Sequence, residues 1–186
     1  MKRKWLLAAA LCATAVSNAQ ITDQETARKS VFAAAKAMDE ALIQHRYDDY
    51  SNFNHPTLVA QVEGGRRAMA LQLAKQLAEI SESGNVITAV WPEMPAVVID
   101  TAGEWQATLQ QYMTYRLPEG TIKSVTTIIG MSPDQGKQWY FIDAAGRNLD
   151  QMRQIFPKLS SKLKIAKPTE PQFTPDNPGT PPAGKQ

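Results

Sequence analysis

Gln111 and Tyr115 are the polar handles on a strand face that otherwise carries Trp105, Ala107, Leu109, Met113 and Leu117. An apolar lining with a few placed polar groups is what a small-molecule pocket requires. The same amide and phenol serve equally well as buried groups satisfied by neighbouring backbone. Asp143 follows the continuous run Trp139-Tyr140-Phe141-Ile142 and either reaches the mouth of such a pocket or caps the next turn. Of the two histidines, His45 falls seven residues after Met38 on one helical stripe, which places it at a helix end. His55 precedes Pro56 at a helix start, where a local hydrogen bond is the ordinary role and ligand contact the sharper one. A metal site needs three or four converging ligands. The two histidines are not at i,i+4 spacing and the single cysteine is Cys12, so no metal and no cofactor is expected.

The elements that must position these groups change character at Gly84. Before it the period is helical. Thr22-Asp23-Gln24-Glu25 reads as a capping box opening a helix that runs to about His45. Val31, Ala35, Met38 and Leu42 form its apolar stripe, with Lys29, Lys36, Asp39 and Glu40 assigned to other faces. A polar, aromatic turn from Tyr47 to Asn54 follows. A short helix then opens at His55-Pro56 and stops at Gly64-Gly65. A third helix, about 66–80, carries Met69, Leu73, Leu77 and Ile80 on one stripe.

After Gly84 the residues alternate, and five strands are expected at 86–91, 96–100, 104–117, 121–131 and 137–143. The connections Pro92–Pro95, Thr101–Gly103, Pro118–Gly120 and Ser132–Gly136 are short, which implies antiparallel neighbours. The strand at 104–117 would extend about 45 Å, long enough to demand a bend or a bulge and hence a strongly curved sheet. Its second face, Gln106, Thr108, Gln110, Tyr112, Thr114 and Arg116, suits a wet surface or a dimer contact. Leu149, Met152 and Ile155-Phe156 suggest a last short helix stopped by Pro157.

The ends of the chain read as address and tail. Lys2, Arg3 and Lys4 precede the apolar run Trp5–Val16, and Ser17-Asn18-Ala19 offers small residues for cleavage before Gln20. The run is too short for a membrane anchor, which takes about 20 apolar residues. Residues 1–19 are therefore expected to be a cleaved signal, 20–166 a single domain and 167–186 a tail. The tail, with six prolines and Phe173 as its one large apolar residue, is expected to be disordered or polyproline-like. Removing the three signal cations from 20 Lys+Arg leaves 17 against 18 Asp+Glu, a formal charge of −1. Such a balance gives no footprint for nucleic acid or an anionic membrane. Without Cys12 the exported chain has no cysteine, so it forms no disulfide and relies on an ordinary core. The expected location is periplasmic or secreted.

Three helices followed by a curved antiparallel meander make an α+β fold. The element order, the His55-Pro56 to Gly64-Gly65 stretch and the closing Trp139–Asp143 strand resemble the NTF2-like superfamily, which includes nuclear transport factor 2, ketosteroid isomerase and scytalone dehydratase. The resemblance covers roughly 22–143. It implies a cone with a pocket between helices and concave sheet, and frequent dimerisation through the outer sheet face. Asp48-Asp49 between Tyr47 and Tyr50 is similar to the acid and phenol of an isomerase-like site, in which a carboxylate base works beside a phenol that steadies an enolate oxygen. Two adjacent aspartates before Ser51-Asn52 are ordinarily a solvated turn, and no family base transfers to a particular residue here.

The expected function is binding of a small molecule or a protein partner in or on the cone, with Gln111, Tyr115, Tyr50, Asp143 and His55 as candidate ligand-binding residues and no catalytic residue assigned. A cofactor-independent isomerase, dehydratase or hydrolase and a dimeric interaction module are the alternatives. Mass spectrometry of the exported protein is expected to show Gln20 as the first residue; a mature chain that retains 1–19 contradicts the signal reading.

Overall fold

The computed structural model describes residues 23–176; the expected signal, Cys12, Thr22 and the last ten residues lie outside this range. Helix α1 (Gln24–Ile43) begins at Asp23, whose Oδ1 accepts the Thr26 N–H at 3.0 Å. The cap is thus Asp23. A carboxylate at this position takes an orphan donor and suits the helix dipole. The helix ends two residues earlier than expected, and His45, at φ 57°, lies exposed beyond it with Nδ1 2.6 Å from the Tyr47 hydroxyl. The expected aromatic turn is a short helix, α2 (Tyr47–Ser51). Helix α3 (Pro56–Val59) follows, and α4 (Gly65–Glu82) closes the helical half.

Strands β1 (Val86–Pro92), β2 (Ile99–Thr101), β3 (Glu104–Leu117), β4 (Gly120–Ser132) and β5 (Tyr140–Asp143) form the meander. Helix α5 (Leu149–Ile155) and strand β6 (Gln172–Pro175) come last. All six strands belong to one antiparallel, curved and unclosed sheet, and the fold is α+β. β3 and β4 pair without interruption from Trp105↔Ser132 to Leu117↔Gly120. The expected irregularity therefore falls in the neighbour: β1 shifts register between Ile87 and Ala89.

Each long strand has more edge than one partner covers. The free edge of β3 is divided between β2, at 104–106, and β1, at 111–116. The free edge of β4 is divided between β5, at 128–131, and β6, at 120–123. The C-terminal tail thus departs from expectation at 172–175. Otherwise open ladder groups at the start of β4 take its backbone, and Phe173 sits where Gly120 has no side chain. Arg116 and Asp176 then meet through paired contacts of 2.7 and 2.5 Å. The domain accordingly continues past residue 166 to at least Asp176.

The sheet has a core on each face. On one, Ala27, Val31, Ala35 and Met38 of α1 pack on Ala107, Leu109, Ile128 and Phe141. On the other, Met152, Phe156, Leu159 and Leu163 pack on Ile129, Met131 and Ile142. Much of the outer face proposed for dimer contact is therefore covered by the chain's own C-terminal segment. The amide of Gln106 is buried there against the Lys158 carbonyl and the Ser160 N–H, at 3.0 and 2.8 Å. The Tyr112, Thr114 and Arg116 end stays at least partly open, with Trp91 stacked on Tyr112. α4 departs from its expected role as a roof. Of its residues only Ala70 is buried; Met69, Leu73 and Leu77 are half-buried and Ile80 is exposed. Among the described residues no helix is long and apolar enough to cross a membrane.

At Gly130 α1 lies close on the sheet: a Cβ there would stand 2.9 Å from Val31 Cγ2 and 3.0 Å from Phe141 Cε1. Overpacking of this kind costs about 1–3 kcal/mol. Gly130→Ala is expected to lose about that much in urea unfolding, and Val31→Ala in the same chain to recover part of it. A Gly130→Ala protein as stable as the parent contradicts this packing.

Candidate functional site

Along β3 the side chains alternate, so Gln111, Met113 and Tyr115 continue the face that α1 covers at Ala107 and Leu109. Register extends this face sideways. Gln111 is opposite Thr126, Met113 opposite Ser124 and Tyr115 opposite Ile122 on β4. Leu109 stands opposite Ile128, which stands opposite Asp143 on β5. On the other side Met113 faces Val90 of β1, and Tyr115 faces Ile87. This part of the face therefore mixes apolar walls with one amide, two hydroxyls, a phenol and a carboxylate.

A further group enters from α1. Asp39 is 1% exposed, and its Oδ1 accepts the Gln111 side-chain N–H at 2.5 Å. Its other oxygen, Oδ2, is buried and has no hydrogen-bond partner among the described residues. Burial disfavours the charged form, so the carboxyl is pushed up from the ordinary aspartate value to about 7, against the opposing pull of the Gln111 hydrogen bond. Gln111 itself is 7% exposed and is held in place by this contact.

Tyr50 reaches the same place from α2. Its ring packs against the α1-side core, and its phenol is pushed up to about 12, first by burial, then by the charges of Asp39 and Asp143. Local structure delivers it there. Arg66 of α4 donates to the Ser51 carbonyl at 2.9 Å, and the Phe141 N–H donates to the Phe53 carbonyl at 2.7 Å, tying the segment after Tyr50 to β5. Tyr115 is raised as well, by burial and then by Asp143. Asp143 lies exposed at the rim, where Oδ1 accepts the Thr126 hydroxyl at 2.6 Å and the Ala145 N–H at 2.8 Å. It therefore caps its turn, and its charge also acts on both phenols.

Four of the five expected site residues connect on this face: Gln111 bonds Asp39, the charges of Asp39 and Asp143 act on Tyr50, and that of Asp143 acts on Tyr115. His55 does not. Its Nδ1 accepts the Thr57 N–H at 3.2 Å as the cap of α3, and its ring meets Tyr140 and Phe156 edge-on at 6.2 and 5.2 Å. Phe156 belongs to the opposite core. Burial lowers the His55 pKa, with the Glu104 charge opposing, which suits an imidazole that accepts a bond. Asp48 and Asp49 are exposed, and Asp49 pairs with Arg46, so of that cluster only Tyr50 faces inward.

Asp39 had been grouped with the charged faces of its helix. The spacing that reveals it is 27, 31, 35, 39: a row of every fourth residue whose first three members, Ala27, Val31 and Ala35, are wholly buried. A carboxyl on that row is buried with them. Among the described residues no cluster of three or more histidines, cysteines or carboxylates could hold a metal ion. No protein-family model matches the chain, and no curated protein matches it.

The Asp39 carboxyl should leave a signature in stability. Its folded pKa stands above its unfolded value, so its contribution is fully present below about pH 4 and is lost as pH rises through about 7. Asp39→Asn keeps the acceptor for Gln111 and removes the titration. Relative to the parent, this variant is expected to be the more stable protein at pH 8, by on the order of 4 kcal/mol, with the advantage vanishing toward pH 4. Urea unfolding of both proteins from pH 4 to 8 measures it, and a pH-independent difference contradicts the assignment. Comparing the two chains cancels the opposite slope contributed by His55.

Proposed function

We propose that this protein binds a small amphipathic molecule in the wide end of the concave sheet face, with the ligand's polar end donating a hydrogen bond to Asp39. The observation that carries the reading is the buried Asp39 Oδ2, an acceptor without a partner among the described residues, beside Gln111 and Tyr50. A buried acceptor left unmatched costs free energy comparable to a lost hydrogen bond, and a ligand that supplies the donor recovers it. Met113, Val90, Ile87 and Ile122, brought together by register, would receive the apolar body. The two carboxyls, Asp39 and Asp143, favour a ligand whose polar end is cationic or a neutral donor over an anion. The α+β architecture supports the NTF2-like resemblance as the origin of such a pocket, and the basic, apolar N-terminal segment supports export to the periplasm or beyond.

A second reading is favoured by one specific observation, the Asp39 pKa of about 7. A general base works best with a pKa near the operating pH, and Tyr50 and Tyr115 are phenols able to donate to a developing oxyanion. In this reading Asp39 removes a proton from a bound carbon acid and returns it elsewhere, an isomerisation without cofactor. Both readings use the same centre; they differ in whether bound ligand is changed.

Decylamine and decanoate share an apolar body and differ in the polar end. Decylamine is expected to raise the melting temperature and decanoate to raise it less, with the amine effect reduced at least tenfold in apparent affinity by Asp39→Asn. Equal stabilisation by both, or an unchanged affinity in the variant, contradicts the binding reading.

A further inference from the structure

The free edge of β3 is not continuously paired. β2 leaves it after Gln106, and β1 joins it at Gln111, with the Glu93 N–H donating to the Gln110 carbonyl at 2.8 Å. Main-chain groups along a strand turn alternately to its two edges, so Thr108, two residues before Gln110, turns its N–H and C=O into the gap. What would have covered it is the connection 93–98, and α1 draws that connection away. The side chain of Gln24 takes both main-chain groups of Val98, donating to its carbonyl at 2.8 Å and accepting its N–H at 3.0 Å. Arg28 donates to the Pro95 carbonyl at 2.6 Å. Pro95 also has no N–H to offer a ladder.

The gap opens into a groove of about 350 Å³ between the 93–99 connection, the β3 edge and the C-terminal segment at 162–164. Its size falls in the range of small-ligand sites. Met94, Val97, Ile99 and Leu163 supply apolar walls, and Val97 is 48% exposed. Lys162 and Lys164 stand on one wall, and among the described residues neither is in an ion pair. Glu93, the groove's carboxylate, is engaged at 3.0 Å by the Tyr112 hydroxyl. The groove is thus cationic and apolar, with a strand edge for its floor.

We propose that this groove is a second binding site, distinct from the Asp39 centre, which takes a short extended acidic peptide segment pairing in β fashion with Thr108. Backbone pairing gives such sites affinity and side-chain pockets give them specificity. An apolar side chain of the peptide enters between Val97 and Leu163, and its carboxylates meet Lys162 and Lys164. The four-residue span between Gln106 and Gln111 limits the paired stretch to two or three peptide residues, which shields the edge from pairing with whole strands of other chains.

The probes are acetyl-Val-Glu-Val-Glu-amide and its basic counterpart acetyl-Val-Lys-Val-Lys-amide, titrated into the isotopically labelled full chain and followed by amide NMR shifts. The acidic peptide is expected to shift Thr108, Val97 and Leu163 and to bind at least tenfold more tightly than the basic one. The variant Lys162→Glu/Lys164→Glu should bind the acidic peptide at least tenfold more weakly with an unchanged fold spectrum. Asp39→Asn should leave this binding as it is, which separates this site from the interior one. Equal affinity for the two peptides, shifts confined to other surfaces, or no shift at millimolar peptide overturns the proposal. A match or better by decanoate also overturns it, since an apolar anion would then suffice.

Discussion

A single hydrogen bond inside the molecule, from the Gln111 amide to the Asp39 carboxyl, joins the long helix to the long strand between two buried side chains. The candidate residues of the interior centre are arranged around it. α1 lies close on the sheet because its contact row is Ala27, Val31 and Ala35 over Gly130, and that closeness carries the fourth member of the row, Asp39, into the interior. Gln111 satisfies one oxygen. The other has no partner among the described residues, and burial pushes the carboxyl up to about 7. A buried polar pair that is only partly satisfied is expensive in a core.

The same geometry accounts for the rest of the architecture. Two strands of 14 and 13 residues create edges longer than any neighbour in the chain, so each edge takes two short partners. On β4 the shared edge is completed by the C-terminal residues, which a composition rich in proline concealed. On β3 the two partners leave an interval at Thr108. A sheet this long also exposes both faces, and the second is covered by α5 and the segment that follows it. That covering removes much of the outer surface from contact with another copy of the chain.

The strands were largely legible because alternation and turn residues are local signals. Glu104–Leu117 stands at its expected bounds, and the closing helix at Leu149–Ile155 follows its apolar spacing. What could not be read depended on partners remote in sequence. The α4 stripe has the right period and yet packs weakly, because the inner face was already filled by α1. Residues 172–175 have no strand pattern of their own; the open edge of β4 makes them a strand. The candidates Gln111, Tyr115, Tyr50 and Asp143 were read from polar groups on apolar faces or beside aromatic runs, and they share the α1-side face. His55 proved to be a helix cap. Asp39 was lost because its charge outweighed its position, although a row at every fourth residue pointed inward.

Carbon-detected NMR of the aspartate side-chain carboxyls reports the protonation of Asp39 directly. The account predicts a midpoint near 7 for this group in the folded protein, moving when ligand donates to it. A midpoint in the ordinary aspartate range, near 3.8, would mean that the carboxyl is solvated and that the interior centre described above does not exist.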